Sequence, residues 1–264
     1  MTDNGPGGGQ EPKLDTRVPH SARVWNYWLG GKDNYAADRA MGDQILAMVP
    51  DMPRIARLQR DFLARAIQYL AGEAGIRQFL DIGTGLPTAD NTHQAAQAIA
   101  PRSRIVYVDN DPLVLVHARA LLTSSPEGAC DYIDADVRDP GEILTEAART
   151  LDFSQPIAVM LLGILGQIPD SDHPEAIVAT LVDAVPAGSY LAISDGVNTS
   201  ETFNQAAAHS GWYHVRSPEQ IAGFLAGLEL VEPGVVPLAQ WRAPATPFPE
   251  QDDVPGMCGI GRKP

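Results

Sequence analysis

Short, continuous runs of apolar residues recur along the chain and predict the strands of a sheet. The clearest runs cover residues 79–82, 105–108 and 156–162. A continuous apolar run is typical of a parallel strand that is buried on both faces, because a strand with one exposed face alternates apolar and polar residues. The other predicted strands end or lie within residues 130–138, 188–195, 228–236 and 257–262.

Segments with a helical period separate these runs. Ile55, Leu58, Phe62, Ala66 and Leu70 recur at helical spacing and predict a core helix that leads into the first strand. Strands that alternate with helices predict an α/β fold with a doubly wound, parallel sheet. The other predicted helices cover residues 92–100, 112–122, 140–151, 173–185 and 199–211, and one more begins near residue 218.

A glycine turn follows the first apolar run and reads Asp81-Ile82-Gly83-Thr84-Gly85-Leu86-Pro87-Thr88. The two glycines permit a tight turn and the close approach of a ligand to the main chain. The next helix is expected to begin near residues 88–90, where Thr88 or Asp90 could cap it. A strand, a glycine turn and a helix open a nucleotide-binding domain. A tight turn without a ligand is the alternative interpretation.

This turn also distinguishes between two cofactors. The dinucleotide motif Gly-x-Gly-x-x-Gly requires a third glycine, but Thr88 stands at that position. An acid at the strand end followed by Gly-x-Gly instead resembles the first motif of class I methyltransferases, which use S-adenosylmethionine (SAM). The cofactor contacts predicted at this turn are Asp81, Gly83, Thr84, Gly85 and Pro87.

Acidic residues also follow the second and third apolar runs. Asp109 lies 24 residues after Gly85, near the spacing expected of an acid that binds ribose hydroxyls. Asp136 is placed like the methyltransferase acid that accepts the adenine amino group. Asp111, directly before Pro112, is interpreted as a helix cap. The remaining predicted cofactor contacts are Asn110, Val137 and Leu162.

The segment of residues 19–39 concentrates aromatic and polar side chains. Ser21 is predicted to cap a helix whose apolar face carries Trp25 and Leu29, and a second helix is predicted after Asp33. Trp25, Trp28 and Leu29 are interpreted as core. Seven other residues are predicted either to line a substrate pocket or lid or to be structural, with neither reading favoured: His20, Arg23, Asn26, Lys32, Asp33, Asn34 and Tyr35.

The predicted organisation has three parts. Residues 1–15 have almost nothing to bury and are expected to be a disordered tail. Residues 16–72 are predicted to form a helical lid or cap, and residues 73–264 the cofactor-binding domain. The 264 residues are 44% hydrophobic, which is enough for one large domain with an appendage.

Charge and cysteine content restrict the partners. A net charge of −14 argues against a nucleic-acid surface, which requires a basic stripe. The longest apolar run, residues 157–165, is too short to span a bilayer. Cys130 and Cys258 lack metal-site spacing and are expected to be reduced thiols of a cytoplasmic protein. The expected partner is a small-molecule acceptor, without nucleic acid or membrane, and the oligomeric state is left open.

A resemblance to a known family adds to this interpretation. The N-terminal segment, the glycine turn and Val108-Asp109-Asn110-Asp111-Pro112 together resemble an actinobacterial family of SAM-dependent methyltransferases of unknown substrate, formerly called DUF574. The resemblance runs from residue 19 to residue 264. It implies a Rossmann-like class I methyltransferase fold, with a seven-stranded sheet whose last strand is antiparallel and lies between the fifth and sixth. It also implies SAM as the cofactor.

One departure from that family concerns catalysis. Members often carry histidine and a bulky residue where this chain has Gly166 and Gln167. Their loss puts a general base at this loop in doubt, and no catalytic residue is assigned. By placement, the candidate bases are His20, Asp33, Tyr35 and Asp195.

Three functions follow, in order of preference. The first is a SAM-dependent methyltransferase that acts on an unidentified, small-molecule acceptor. The second is a SAM-binding regulator or degenerate enzyme without transferase activity, which the Gly166-Gln167 departure favours. The third is a nicotinamide-dependent oxidoreductase, against which the missing third glycine counts.

Overall fold

The computed structural model describes residues 14–87, 91–121, 124–244 and 254–264. Within these ranges, eight strands form one sheet in the order β3-β2-β1-β4-β5-β8-β6, and β7 also pairs with β8. The strands are β1 (Gln78–Ile82), β2 (Arg104–Asp109), β3 (Ala129–Asp134), β4 (Ala158–Leu162), β5 (Tyr190–Gly196), β6 (Glu229–Leu230), β7 (Val236–Pro237) and β8 (Gly256–Arg262).

The strand directions confirm the predicted fold class. Strands β1 to β5 are parallel, and β8 runs antiparallel to β5. Strand β8 pairs with β5 on one side and with β6 and β7 on the other, so the last strand lies between the fifth and the sixth, as predicted. The sixth strand itself differs from its prediction over residues 228–236: it is divided into β6 and β7. Pro233, which lacks the amide hydrogen that a strand donates, lies in the interruption.

Helices cover both faces of the sheet. They are α1 (Ser21–Trp28), α2 (Ala36–Met48), α3 (Met52–Ile67), α4 (Thr92–Ile99), α5 (Pro112–Leu121), α6 (Pro140–Ala147), α7 (Pro174–Ala184), α8 (Glu201–Ser210) and α9 (Pro218–Gly223). A π-helical turn, Gln68–Glu73, extends α3. No helix in the described ranges is long and apolar enough to cross a membrane.

Alternate residues of each central strand serve two separate cores. On β2, Ile105 and Tyr107 pack with α2, α3 and α4, whereas Val106 and Val108 pack with α6 and α7. Both faces are therefore apolar, which explains why the sequence shows continuous apolar runs. Because α3 belongs to the first of these cores, the N-terminal helices pack directly against the sheet.

Two predicted helix caps differ in position. Ser21 is the first residue of α1 rather than its cap, and the His20 side chain accepts a hydrogen bond from the Ala22 amide instead. The helix after the glycine turn begins at Thr92 and is capped by Asn91. The residues predicted to begin it, 88–90, lie outside the described ranges, as do residues 1–13 of the predicted tail.

Candidate functional site: one cavity with an acidic half and an aromatic half

A cavity of about 390 Å³ opens where the carboxyl ends of β1, β2 and β4 meet helices α1, α3 and α8. Its wall has two parts, which follow the strand order. Strands β1 and β2 and the loop after β3 contribute Asp81, Asp109 and Asp136, and we call this part the acidic half. The part formed by α1, α3, α8 and residues near β5, β7 and β8 is mostly apolar, and we call it the aromatic half.

The glycine turn shapes the acidic half. Gly83 and Gly85 both adopt positive φ angles, 75° and 65°, which other residues rarely adopt. A Cβ atom on Gly83 would lie 2.7 Å from the Ile164 side chain, so that position also has no room for a side chain. The Gly83 amide donates to the Val108 carbonyl over 2.8 Å and fixes the turn to β2.

Asp109 joins this turn to the end of β2. Its Oδ2 accepts a hydrogen bond from the Gly85 amide over 2.7 Å, and its Oδ1 accepts from the Asp111 amide over 3.0 Å. Burial raises the pKa of the Asp109 carboxyl, although these two amides and His20 oppose that shift. Each carboxylate oxygen retains a further lone pair for a ligand hydroxyl.

Asp136 lies beyond the end of β3 and is held by Arg138. The Arg138 guanidinium donates to both Asp136 oxygens, over 2.9 and 2.6 Å, and Asn110 donates to one of them over 3.2 Å. These contacts lower the pKa of Asp136 to about 2. The carboxylate therefore stays ionised at the cavity wall and can accept from a ligand amine.

Asp81, at the end of β1, is buried and accepts a hydrogen bond from the Thr92 hydroxyl over 2.6 Å. Burial raises its pKa to about 6, while Thr92 and the positive charge of Arg60 oppose the shift. Arg60, on α3, lines the cavity beside Asp81 and was not singled out by the sequence. The sequence did not indicate that Arg60 lines a cavity, because a charged residue within a helical repeat of apolar residues is usually on the solvent face.

The remaining predicted cofactor contacts divide between the cavity and its neighbourhood. Pro87 lines a small adjoining pocket that it shares with Arg60 and Asp81. Those on the main cavity wall are Thr84, Asn110, Val137 and Leu162.

The aromatic half draws its wall from separate elements. Apolar side chains come from α1, α3, α8, residue 212 and residue 238. Trp25 and Trp28 meet edge to face with ring centroids 5.6 Å apart, and the Trp28 indole nitrogen donates to the Gly42 carbonyl. With its polar edge paired elsewhere, Trp28 presents an apolar ring to the cavity.

The predicted lid residues fall in two groups. His20 and Asn26 line the cavity. The other five are not among the described residues of its wall: Arg23, Lys32, Asp33, Asn34 and Tyr35. Asn34 instead donates to Asn26 Oδ1 and to the Gly31 carbonyl, both over 3.0 Å, and shapes the loop between α1 and α2.

Arg23 is buried in a charge cluster behind the cavity. Its Nε lies 3.6 Å from an Asp38 oxygen and 3.3 Å from an Asp111 oxygen, and its guanidinium lies over the Tyr35 ring. Asp38 accepts hydrogen bonds from the backbone amides of His20 and Tyr35. The cluster therefore joins α1, α2 and the start of α5.

Of the four candidate bases, His20 alone lines the cavity. Asp33 is half-buried, and its Oδ1 lies 3.7 Å from His117 Nε2. Asp195, although it lies near the end of β5, is buried and accepts hydrogen bonds from the Tyr213 hydroxyl and from the amides of Gly166 and Gly196. These three donors occupy a carboxylate that does not reach the cavity.

The glycine at position 166 is explained by the packing of Tyr213. A Cβ atom on Gly166 would lie 2.5 Å from the Tyr213 ring and 2.8 Å from Asp195 Oδ1. The tyrosine thus fills the space that a side chain at 166 would need. Gln167 turns toward α1 and accepts a hydrogen bond from the Ser21 hydroxyl over 2.6 Å.

Comparison with known proteins assigns the chain to a family. The profile of the S-adenosyl methyltransferase family matches residues 8–264. A DUF574 family protein from Streptomyces avermitilis has 42% sequence identity and a TM-score of 0.91, with 96% of this chain and 100% of that chain covered. A methyltransferase candidate from Thermobifida fusca has 43% identity and a TM-score of 0.88, with 94% and 96% covered.

A more distant neighbour shares the fold alone. The plantazolicin methyltransferase BpumL, solved with S-adenosylhomocysteine (SAH), is 11% identical, with a TM-score of 0.54 over 92% of this chain and 96% of that one. No functionally curated protein matches the chain in sequence. The family assignment rests on the full-length profile match and the two relatives above 40% identity: the chain belongs to the S-adenosyl methyltransferase family, and SAM is the cofactor of that family.

Proposed function

We propose that this protein transfers a methyl group from SAM, bound in the acidic half, to a small-molecule acceptor bound in the aromatic half. The observation that carries the proposal is the continuity of the two halves in one cavity. A methyl donor and its acceptor must approach in line and in a site that excludes water. One cavity that joins a polar cofactor wall to an apolar wall supplies that arrangement.

The residues of the acidic half fit SAM. Asp109 has lone pairs for the ribose hydroxyls, and the Asp136 carboxylate is placed for the adenine amino group. Asp81 and Arg60 lie side by side at the turn and offer opposite charges to the ammonium and carboxylate of the amino-acid tail. The glycine turn lets a ligand approach the main chain closely, but it lacks the third glycine of a dinucleotide-binding motif.

When bound, SAM supplies a methyl group on a positively charged sulfur. The chain's own work is to position the acceptor and exclude water. The Arg23 cluster and the Ser21–Gln167 hydrogen bond hold α1 over the cavity. His20 is the candidate that could accept a proton from an acceptor hydroxyl or amine, since it lines the cavity and its Nδ1 lies 3.1 Å from Asp111 Oδ2.

The division of the cavity wall into an acidic half and an aromatic half supports the predicted organisation, with residues 16–72 as the cap over the cavity and residues 73–264 as the SAM-binding domain. The net charge of −14 supports an acceptor that is not a nucleic acid. Neither Cys130 nor Cys258 forms a disulfide bond, which is compatible with a cytoplasmic location.

A second candidate function is SAM binding without transfer. The observation that favours it is Asp195, which contacts the Gly166 loop but is enclosed by three donors: the Tyr213 hydroxyl and the amides of Gly166 and Gly196. On this candidate the protein would bind SAM and SAH alike and would act through the conformation of the cap.

The test is a calorimetric titration with SAM and SAH, followed by mass-spectrometric measurement of SAH formed in the presence of a panel of aromatic hydroxyl and amine compounds. We expect saturable binding of both cofactors, and SAH formation that depends on an acceptor. Binding without SAH formation for every acceptor would support the second candidate. Absence of SAM binding would contradict both.

A further inference from the structure

We propose that the acceptor is an uncharged aromatic molecule with a lone-pair nitrogen or oxygen that accepts a hydrogen bond from Gln59. The inference deepens the proposed function, since it assumes that SAM occupies the acidic half. It rests on two features of the cavity wall: the distribution of charge and the orientation of the Gln59 amide.

The charge distribution of the wall disfavours a charged acceptor. Among the described residues of the wall, the formally charged side chains are Asp81, Asp109, Asp136 and Arg138 of the acidic half and Arg60 of α3, which lies beside Asp81. The arginines already face acids there, since Arg138 holds Asp136 and Arg60 lies beside Asp81. With SAH bound, whose sulfur is uncharged, an ion in the aromatic half would lose its hydration without gaining a counter-charge from the wall, which is costly.

The apolar surface favours an aromatic ring. Trp25, Trp28, Phe203 and Trp212 all line this half. Aromatic walls bind flat rings through large contact areas and through stacked or edge-to-face contacts. Aliphatic side chains such as Leu63 and Leu238 complete the wall and offer no polar atom.

Gln59 is placed where the two halves meet. Its Oε1 accepts a hydrogen bond from the Ser194 hydroxyl over 2.5 Å, and its Nε2 would lie 3.4 Å from a Cβ atom on Gly163, just beyond the end of β4. Strand β4 lies next to β1, which carries Asp81. The amide is thus close to both the predicted cofactor and the aromatic half.

The orientation of this amide follows from Ser194. The serine is fully buried, so its hydroxyl hydrogen needs an acceptor, and Gln59 Oε1 supplies it. The NH₂ group must then point away from Ser194. Gln59 Nε2 donates to no described residue and is not among the described enclosed atoms that lack a partner, so it faces the open cavity that the residue lines. A donor in such a position is satisfied by a ligand lone pair or by water.

Three probes of similar size test the inference: quinoline, which is neutral at pH 7.5 and has a ring nitrogen; naphthalene, which lacks it; and 2-naphthoate, which is an anion. Equilibrium dialysis is carried out with the full chain, with and without saturating SAH. We expect quinoline to bind about three- to tenfold more tightly than naphthalene, the usual range for one hydrogen bond. We expect 2-naphthoate to bind at least about tenfold more weakly than quinoline.

Two variants assign the preference to Gln59. Gln59→Glu keeps an acceptor for Ser194 but removes the donor, and Gln59→Met removes both without a large change in volume. In both, the quinoline-to-naphthalene ratio should fall to about one, while Gln205→Met, on an exposed face of α8, should leave it unchanged. Thermal unfolding verifies that each variant is folded.

The outcomes separate the two proposals. Equal binding of quinoline and naphthalene by the wild type, an unchanged ratio in both Gln59 variants, or tightest binding of 2-naphthoate would each overturn this inference while SAH binding stands. Failure of SAH to bind would overturn the proposed function, and the preference for quinoline could still be measured in the protein without SAH.

Discussion

The two halves of the cavity are built by different means. The acidic half is formed by strand ends and the turns that follow them, and two of its carboxylates accept hydrogen bonds from backbone amides: Asp109 from Gly85 and Asp111, and Asp136 from Arg138. The aromatic half is formed by side chains from α1, α3, α8 and two loops, which are far apart in the sequence. Main-chain geometry therefore determines the first, and long-range packing the second. Substitutions should affect one half and leave the other unchanged.

The largest effect is expected at Asp109. Asp109→Ala should weaken SAM binding by at least about 100-fold, because two hydrogen bonds to a charged carboxylate are lost. Asp109→Asn keeps an acceptor for the Gly85 amide and should lose less, about tenfold. Calorimetry measures both, and quinoline affinity without SAH should be unaffected.

The matched control is Asp134→Ala. Asp134 pairs with Asp109 in the sheet register, but it is exposed and is not among the described residues that line the cavity. An equal loss of SAM affinity in both alanine variants would mean that general negative charge, rather than the position of Asp109, holds the cofactor.

The next effect concerns stability and pH. The folded pKa of Asp81, about 6, lies above its ordinary value of 3.8, so its ionised form disfavours the fold. This cost is absent below about pH 4, grows as the pH rises, and is complete above about pH 6, where it amounts to about 2–3 kcal/mol. Asp81→Asn should therefore stabilise the protein relative to wild type at pH 8 and much less at pH 4.5.

Urea unfolding at the two pH values measures this difference. Asp136 is the contrasting control within the same half, because Arg138 lowers its pKa to about 2. Asp136→Asn should destabilise the protein at pH 8, and the loss should shrink as the pH falls toward 2. A stability difference for Asp81→Asn that is the same at pH 4.5 and pH 8 would contradict the buried, raised-pKa carboxyl.

The different construction of the two halves also explains what the sequence could predict. The glycine turn and Asp109 were identifiable because strand ends, turns and spacing are local properties of the chain. The hydrogen bonds from Ser194 to Gln59 and from Ser21 to Gln167 join residues 135 and 146 positions apart. No local pattern marks such pairs, so Gln59 and Tyr213 were not identified.

Arg23 is a second residue whose environment could not be predicted from the local sequence. Its polar character among aromatic residues suggested a pocket, but the structure buries it between Asp38 and Asp111. A charged residue near an apolar cluster can either face a ligand or complete a buried ion cluster, and the difference depends on partners that the local sequence does not reveal.

A third prediction tests the packing at Gly166. Gly166→His should cost about 2 kcal/mol of stability, because its Cβ would overlap the Tyr213 ring. Tyr213→Ala should make room, so the double variant should be at least about 1 kcal/mol more stable than the sum of the single changes implies. Gly223→His, where a Cβ would meet nothing within 4 Å, is the control. If the effects of the two substitutions on the free energy of unfolding were additive, the packing of Tyr213 against Gly166 would not explain the glycine.

The smallest effect is expected in the aromatic half, where many side chains share the contact. Trp25→Ala should weaken quinoline binding about tenfold through lost aromatic area, while SAM affinity stays within about twofold. Tyr27→Ala is the matched control on the same helix. Its hydroxyl donates to Asp43 over 2.7 Å, and it is not among the described residues of the cavity wall. Equal losses of quinoline affinity in both variants would show that α1 acts through its general packing. A parallel loss of SAM affinity in Trp25→Ala would show that the two halves are coupled rather than separate.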